Sequence, residues 1–368
     1  MVVSAFLFET RGGQIIAEVE PARFDWSVQA NTPETLSATF KPYRGLSNFL
    51  TPWKHSLAFD VGGLLLGGPI LPEDYDGDSH QVKVQARGLG LMFDRAYVLP
   101  VSALSAQLAP GGAPDPSFDT SISGVELGTV AKRLVQQQLA WPGWTDIPVT
   151  LPADRPGSAV RKYTAVELKS VWSALSDLTG VENGPDIRFR LTRTSTDTFG
   201  WTFETGTAAQ PRLQGEVPLV WEPDDTSGLQ VRSDPQVMGS MSWSVGGRST
   251  DKTLIRSLYD PELVNRSGFP LLHLKSDASS STVLESTLDS WNVEKLRTAR
   301  VPAQFWSFKV PTDRSPFPFE YREGDRAEIV VRDHEYLDDG TYTRRIVGLS
   351  GDESGFITVT CGVYYGGV

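Results

Sequence analysis

The sequence predicts a mainly β protein with an α/β insertion. Three observations carry that reading. Apolar and polar residues alternate near both ends of the chain, the period changes to helical spacing between Gly124 and Gly180, and turn signals rich in Gly and Pro recur throughout. The chain has 368 residues, enough at roughly 150 per domain for two or three domains.

Phe24, Trp26 and Val28 alternate with Asp25, Ser27 and Gln29. Leu36, Ala38 and Phe40 alternate with Ser37, Thr39 and Lys41, and Val82, Val84 and Ala86 with Lys83, Gln85 and Arg87. A period of two puts one face on a core and the other in water. Turn signals separate these runs at Arg11-Gly12-Gly13, Asn31-Thr32-Pro33, Gly62-Gly63 and Asp76-Gly77. His55–Val61 and Leu64–Leu71, joined at Gly62-Gly63, read as a hairpin. Short antiparallel strands at this spacing predict a barrel or a sandwich.

Val101 to Asp119, rich in Ala, Pro, Gly and Ser, reads as a connection. Leu127, Val130, Ala131, Leu134 and Leu139 then fall at helical spacing, with Lys132 and Arg133 opposite. A second helix is predicted from a capping box at Thr164 and Glu167, a stripe of Leu168, Val171, Trp172 and Leu175, and a stop at Gly180. Strands resume at Asp186–Thr192 and Thr198–Glu204, and Glu222–Ser240 is a polar connection.

The last part returns to β. Met241, Trp243 and Val245 alternate with Ser242 and Ser244, Trp306, Phe308 and Val310 alternate with Ser307 and Lys309, and Tyr342–Leu349 faces Phe356–Val363. One helix, about 284–300, interrupts it, with Leu284, Leu288 and Trp291 on one face and Leu296 nearer the edge. No repeat is strict, but Leu57–Val61, Leu64–Leu71 and Val82–Gly88 match the layout of Ala327–Arg332, Thr341–Leu349 and Phe356–Gly362. The expected organisation is a first β-barrel at 1–112, with strands near 218–235 as candidates to complete it. An inserted α/β domain follows at 113–217, then a second β-barrel at 236–368 carrying the helix.

With 34 basic and 45 acidic residues the net charge is -11, and there is no run of Lys or Arg. Such a surface repels a phosphate backbone. The single cysteine, Cys361, excludes an intrachain disulfide and a multi-cysteine zinc site. Met1 to Phe8 has no basic start and does not read as a secretory signal. The longest charge-free apolar run, Val61–Leu71, holds four Gly and a Pro and reads as a hairpin rather than a membrane-active loop. These features suit a soluble acidic protein made in a reducing compartment.

Motifs of known chemistry fail at defined positions. Gly88-Leu89-Gly90 lacks the third glycine of a dinucleotide loop, where Phe93 stands. Gly348-Leu349-Ser350-Gly351-Asp352 misses the last glycine of a nucleophile elbow. His334-Glu335 starts like a zinc-protease helix, but Asp338 stands where the second histidine belongs and Asp339-Gly340 breaks the helix. Asp74, Asp76 and Asp78 resemble a calcium loop, but Ser79 and Gln85 replace the required Gly and Glu, which leaves a polar hairpin tip. Trp141 and Trp144 beside Asp146 are the candidate glycan contacts, since aromatic faces stack on sugar rings; the plainer reading closes the first helix against the core.

The stretch Thr51-Pro52-Trp53-Lys54-His55-Ser56-Leu57-Ala58-Phe59-Asp60, with Gly67-Gly68-Pro69-Ile70 and Gln81–Leu89, resembles minor tail proteins of long-tailed phages of actinobacteria. These siphovirus proteins belong to the tail hub, or baseplate hub, family. Gly128–Gln136, Val171–Leu175 and Tyr321–Ile329 are similar too, in the same order. The resemblance implies two tail-tube-like β-barrels per chain, and a homotrimer that forms a pseudo-hexameric ring. That ring would adapt a six-fold tail tube to a three-fold tip. It implies a virion tail-tip location after assembly in the host cytoplasm. The implied partners are distal tail or tail tube proteins, tip fibre or spike proteins and the tape measure protein. Genomic DNA would pass through without specific binding during ejection, and no stable membrane insertion is expected. No cofactor and no catalytic set come with the family, and from the ending at Gly366-Gly367-Val368 no fused lysin is expected. The rival expectations are a carbohydrate-binding or adhesion module using Trp141, Trp144 or Trp201, and a cell-wall hydrolase. Lys275–Ser281 and Pro311–Pro318 are expected as loops ordered only by neighbours.

Overall fold

The structure, a computed structural model, describes residues 3–249, 252–277, 285–300 and 303–364. The first region contributes seven strands: β1 (Val3–Glu9), β2 (Ile15–Val19), β3 (Arg23–Gln29), β4 (Thr32–Phe40), β5 (His55–Val61), β6 (Leu64–Asp76) and β7 (Gln81–Arg87). The alternating runs form strands as their period requires, and β7 is alternately exposed and buried along its whole length. β5 and β6 make the expected hairpin through Gly62 and Gly63, both at positive φ. Gly68 is obligatory for a second reason: a Cβ there would stand 1.9 Å from the Arg87 carbonyl oxygen.

The middle region holds β8 (Thr120–Val125), α1 (Leu127–Leu139), β9 (Val149–Thr150), β10 (Ala159–Tyr163), α2 (Val171–Thr179), β11 (Ile187–Ser195) and β12 (Thr198–Thr205). β10 pairs with β8, and β12 lies between β11 and β9. α1 is where its spacing places it. α2 starts later than its capping box predicts, because Leu168 turns left-handed (φ 46°) after a short 3-10 turn and Ser170 caps the helix instead, accepting the Ser173 N–H. The core here gathers Phe93, Leu134, Leu175, Phe189 and Trp201. β1 serves two cores: Ala5 and Leu7 point into the sheet core, and Phe6 and Phe8 into the middle region.

The last region contains β13 (Leu219–Trp221), β14 (Ser227–Asp234), β15 (Met241–Ser249), β16 (Lys252–Tyr259), α3 (Pro261–Asn265), β17 (His273–Asp277), α4 (Glu285–Ala299), β18 (Ala303–Pro311), β19 (Arg326–Val331), β20 (Gly340–Asp352) and β21 (Phe356–Val363). Two expectations are corrected here. The strands at 218–235 do not complete the first region, because β13 pairs with β19 and β14 with β18. Met241–Ser249 is not part of a barrel wall; it is the centre of a separate sheet, β16-β15-β17, with α4 packed on it. α4 buries Leu288, Asn292 and Leu296, so Leu296 is on the packed face rather than its edge. Asn292 is there because Ser244 donates to its side-chain oxygen at 2.9 Å.

The expectation of two closed barrels is also corrected, since the strands of both regions join one open sheet. Its order is β14-β18-β21-β20-β3-β4-β7-β6-β5-β1-β2, with β19 and β13 continuing from β20. Within it lie two strand sets of the same order, β3-β4-β7-β6-β5 and β14-β18-β21-β20-β19. Their registers coincide. Val61 opposite Leu64 corresponds to Val331 opposite Gly340, and Ile70 opposite Ala86 to Ile346 opposite Cys361. Trp26 opposite Leu36 likewise corresponds to Val231 opposite Trp306. β6 and β20 each have 13 residues and a bulge after the matching isoleucine. One hydrophobic core runs under both sets, from Trp26, Leu36 and Phe59 to Trp306, Phe308 and Ile346.

Candidate functional site

What the fold assembles is a set of contacts between regions distant in sequence. The first is the seam between the two strand sets. β20 and β3 pair antiparallel, Gly348 opposite Gln29 through to Asp352 opposite Asp25. Trp26, Val28 and Leu349 are buried at this seam. A second contact lies at the Gly62-Gly63 turn. A Cβ on Gly63 would lie 3.1 Å from Phe319, and one on Gly62 3.4 Å from Pro318. Phe317 and Phe319 stack beside it with centroids 5.8 Å apart. The end of Pro311–Pro318 therefore docks on the chain's own hairpin, whereas residues 278–281 of the other expected loop lie outside the described residues.

The third contact is ionic. Arg188 on β11 donates to Glu204 at 2.7 Å and, through its other arm, to Glu323 at 3.0 Å, while Arg190 donates to Glu204 at 2.6 Å. Burial pushes the Glu204 carboxyl up, but the Arg188 and Arg190 cations outweigh it and hold it below the usual carboxylate range. Asp186 accepts the Leu213 N–H at 2.9 Å and the Asn31 amide at 3.0 Å, and pairs with Arg212 and Arg345. Arg212 also reaches Glu294 on α4 at 3.2 Å. One cluster thus ties the β3–β4 turn, β11, β12, β20, α4 and the connection after β12.

Glu34 lies beside it, buried to 9 % exposure. Burial raises its carboxyl to about 8, with the Glu323 carboxylate adding to the rise and Arg188 and Arg322 opposing it. Its neighbour across the strand has to be glycine, because a Cβ on Gly88 would fall 2.8 Å from the Glu34 backbone nitrogen. A cavity of about 590 Å³ opens nearby, lined by Arg188, Glu204, Arg322 and Asp325. Both of its carboxylates are engaged, Glu204 by the two arginines and Asp325 by the Gly215 and Arg322 N–H groups at 2.7 Å each. These groups bind one another rather than standing ready for proton transfer.

The residues singled out by sequence are placed as follows. The Trp141 indole N–H donates to the Leu99 carbonyl at 3.0 Å. Trp144 packs on Phe93 with centroids 5.0 Å apart, and Asp146 pairs with Arg11. Trp201 is buried and donates to the Gly67 carbonyl at 3.3 Å. Asp76 ends β6 and accepts the Asp78 N–H at 2.9 Å, the turn Asp352 makes with Ser354 at 2.8 Å. His334 is in a turn, accepting the Tyr336 and Leu337 N–H groups at 3.2 Å. Among the described residues, no group of three or more His, Cys, Asp or Glu is placed to hold a metal ion. The ionic cluster escaped sequence reading. Its members lie between Asn31 and Arg345, and nothing local marks an arginine as half-buried and paired.

No protein-family model matches the sequence, and no curated protein matches it. Solved structures do match. The 43 kDa tail protein of prophage MuSo2 from Shewanella oneidensis is similar over 98 % of this chain and 98 % of its own, with 14 % identity and a TM-score of 0.55. A tail protein from Neisseria meningitidis is similar over 98 % of this chain and 96 % of its own, with 13 % identity and a TM-score of 0.58. An E. coli component of the type VI secretion system, described as structurally similar to the T4 bacteriophage tail proteins gp27 and gp5, covers 95 % of this chain and 74 % of its own. Its identity is 11 % and its TM-score 0.51. Across nearly its whole length, this chain has the fold of those tail proteins.

Proposed function

We propose that this chain is a structural phage tail protein, the hub at the distal end of a non-contractile tail. The observation that carries the reading is the pair of equivalent strand sets, set edge to edge in one open sheet. A chain built so supplies two neighbouring segments of a ring wall. Three copies supply six segments, which fits a three-fold ring to a six-fold tube. The end-to-end likeness to tail proteins supports the same reading. The narrower link to long-tailed phages of actinobacteria rests on the sequence resemblance alone.

In this role the two β regions form the ring and the α/β region decorates it. Tail tube or distal tail proteins and the tape measure protein meet one rim, and fibre or spike proteins the other. The net charge of -11 suits a conduit, because a wall poor in cations releases few counterions from passing DNA and does not hold it. The protein acts by assembly rather than catalysis. Electron microscopy of purified particles, or of the recombinant chain, tests this. Three copies in a ring with pseudo-six-fold density are expected, and a monomer within intact particles overturns the reading.

A further inference from the structure

The two strand sets match strand for strand but are unequally covered. β3 has β4 on one edge and β20 on the other. Its equivalent β14 pairs only with β18 among the described residues. β20 is likewise covered by β21 on one edge and by β19 and β3 in succession on the other. Its equivalent β6 is covered by β5 only as far as Pro69, opposite Ser56. Beyond that point, among the described residues, β6 has β7 on one edge and no strand on the other. The chain therefore carries one filled seam and the two separate halves of an identical, unfilled one.

We propose that β14 of one copy pairs antiparallel with the outer half of β6 of the next copy, in the register of the internal seam. This rests on the ring reading above and names the contact that closes the ring. Transferring the register places Asp76 opposite Gln230, Tyr75 opposite Val231, Asp74 opposite Arg232, Glu73 opposite Ser233 and Pro72 opposite Asp234.

The chemistry of the two edges agrees with that placement. Asp74 and Arg232 are exposed and of opposite charge, where the internal seam has the neutral pair Ser350 and Ser27. Opposite charges directly across an antiparallel pair are favourable. The bulky residue changes strand: in the internal seam Trp26 covers Gly351, and in the open one Tyr75, 60 % exposed, would cover Val231. A long open edge left in water is a liability that proteins cover or charge, and a second copy covers both halves at once.

The test joins cross-linking to a charge swap in the full chain. With Asp74→Cys and Arg232→Cys together, oxidation should link copies into dimers and trimers; Cys361 is buried and does not compete. Asp74→Arg or Arg232→Asp alone should weaken association by up to about fivefold per contact, and the double swap should restore it. Both side chains are exposed, so circular dichroism should be unchanged. A three-copy ring by microscopy that shows no 74–232 cross-link overturns this pairing and leaves the ring reading standing, as does a double swap no stronger than either single change. A chain that never assembles with itself, in solution or in particles, overturns both.

Discussion

Trp26 of β3 lies directly opposite Gly351 of β20, and a methyl group on that glycine would stand 2.9 Å from Cζ2 of the indole. The seam between the two strand sets is closed by a large residue over an absent side chain. Gly351→Ala should therefore force the indole or the strand to shift, at about 1–3 kcal/mol. Urea denaturation should show a lower midpoint with an unchanged slope. A stability equal to the unaltered protein would mean that the seam is not tightly packed.

Glu34 should make stability fall with rising pH. Its folded-state pKa of about 8 is above the ordinary 4.5, so between those values the folded protein holds a proton that the unfolded chain has released. The contribution is complete below pH 4.5, declines by somewhat more than 1 kcal/mol per pH unit, and is gone above about pH 8. Glu34→Gln keeps the shape and removes the titration. Denaturation midpoints at pH 5, 6, 7 and 8 should show a shallower decline in that variant.

Asp186 is 3 % exposed and accepts from four groups on three different segments. Asp186→Ala would leave the half-buried Arg345 without its counterion, a loss of about 3 kcal/mol. Asp186→Asn keeps an acceptor and should lose less. Limited proteolysis should cut the Ala variant faster within residues 207–217, the connection that Asp186 holds through Leu213.

Trp144→Ala should lower the melting temperature by removing the Phe93 contact, at about 1–3 kcal/mol. Titration with cell-wall polysaccharide should show no binding before or after the change. Binding lost in Trp144→Ala with the fold intact would instead support an adhesion module.

Much of the fold was legible in particular residues. The alternation at Phe24–Gln29 and Val82–Arg87 marked β3 and β7, and Gly62-Gly63 marked a hairpin that forms as read. The start of α2 differs from its sequence pattern because Thr164 and Glu167 have the capping spacing, while the competing left-handed turn at Leu168 has no local sequence signature. Met241–Ser249 alternates as a barrel strand would, but its apolar residues do not point at α4; the buried Ser242 and Ser244 do. The spacing of Trp141 and Trp144 fits a glycan platform as well as closure of the first helix on the core, and their contacts with Leu99 and Phe93 are those of the second.

The sequence by itself determined the alternating strands and the first helix, the two-fold recurrence of hairpin layout, the acidic balance and the absence of any complete catalytic motif. These follow from residue spacing and local turn chemistry, which act over a few positions. The tertiary structure decided that both strand sets share one open sheet, that 219–234 belongs to the second set, and that Asp186 gathers its partners from residues 31, 212, 213 and 345. Apart from its prolines, a strand's backbone offers the same hydrogen bonds along both edges, so which edge is filled is set by the packing of distant segments and not by the strand itself.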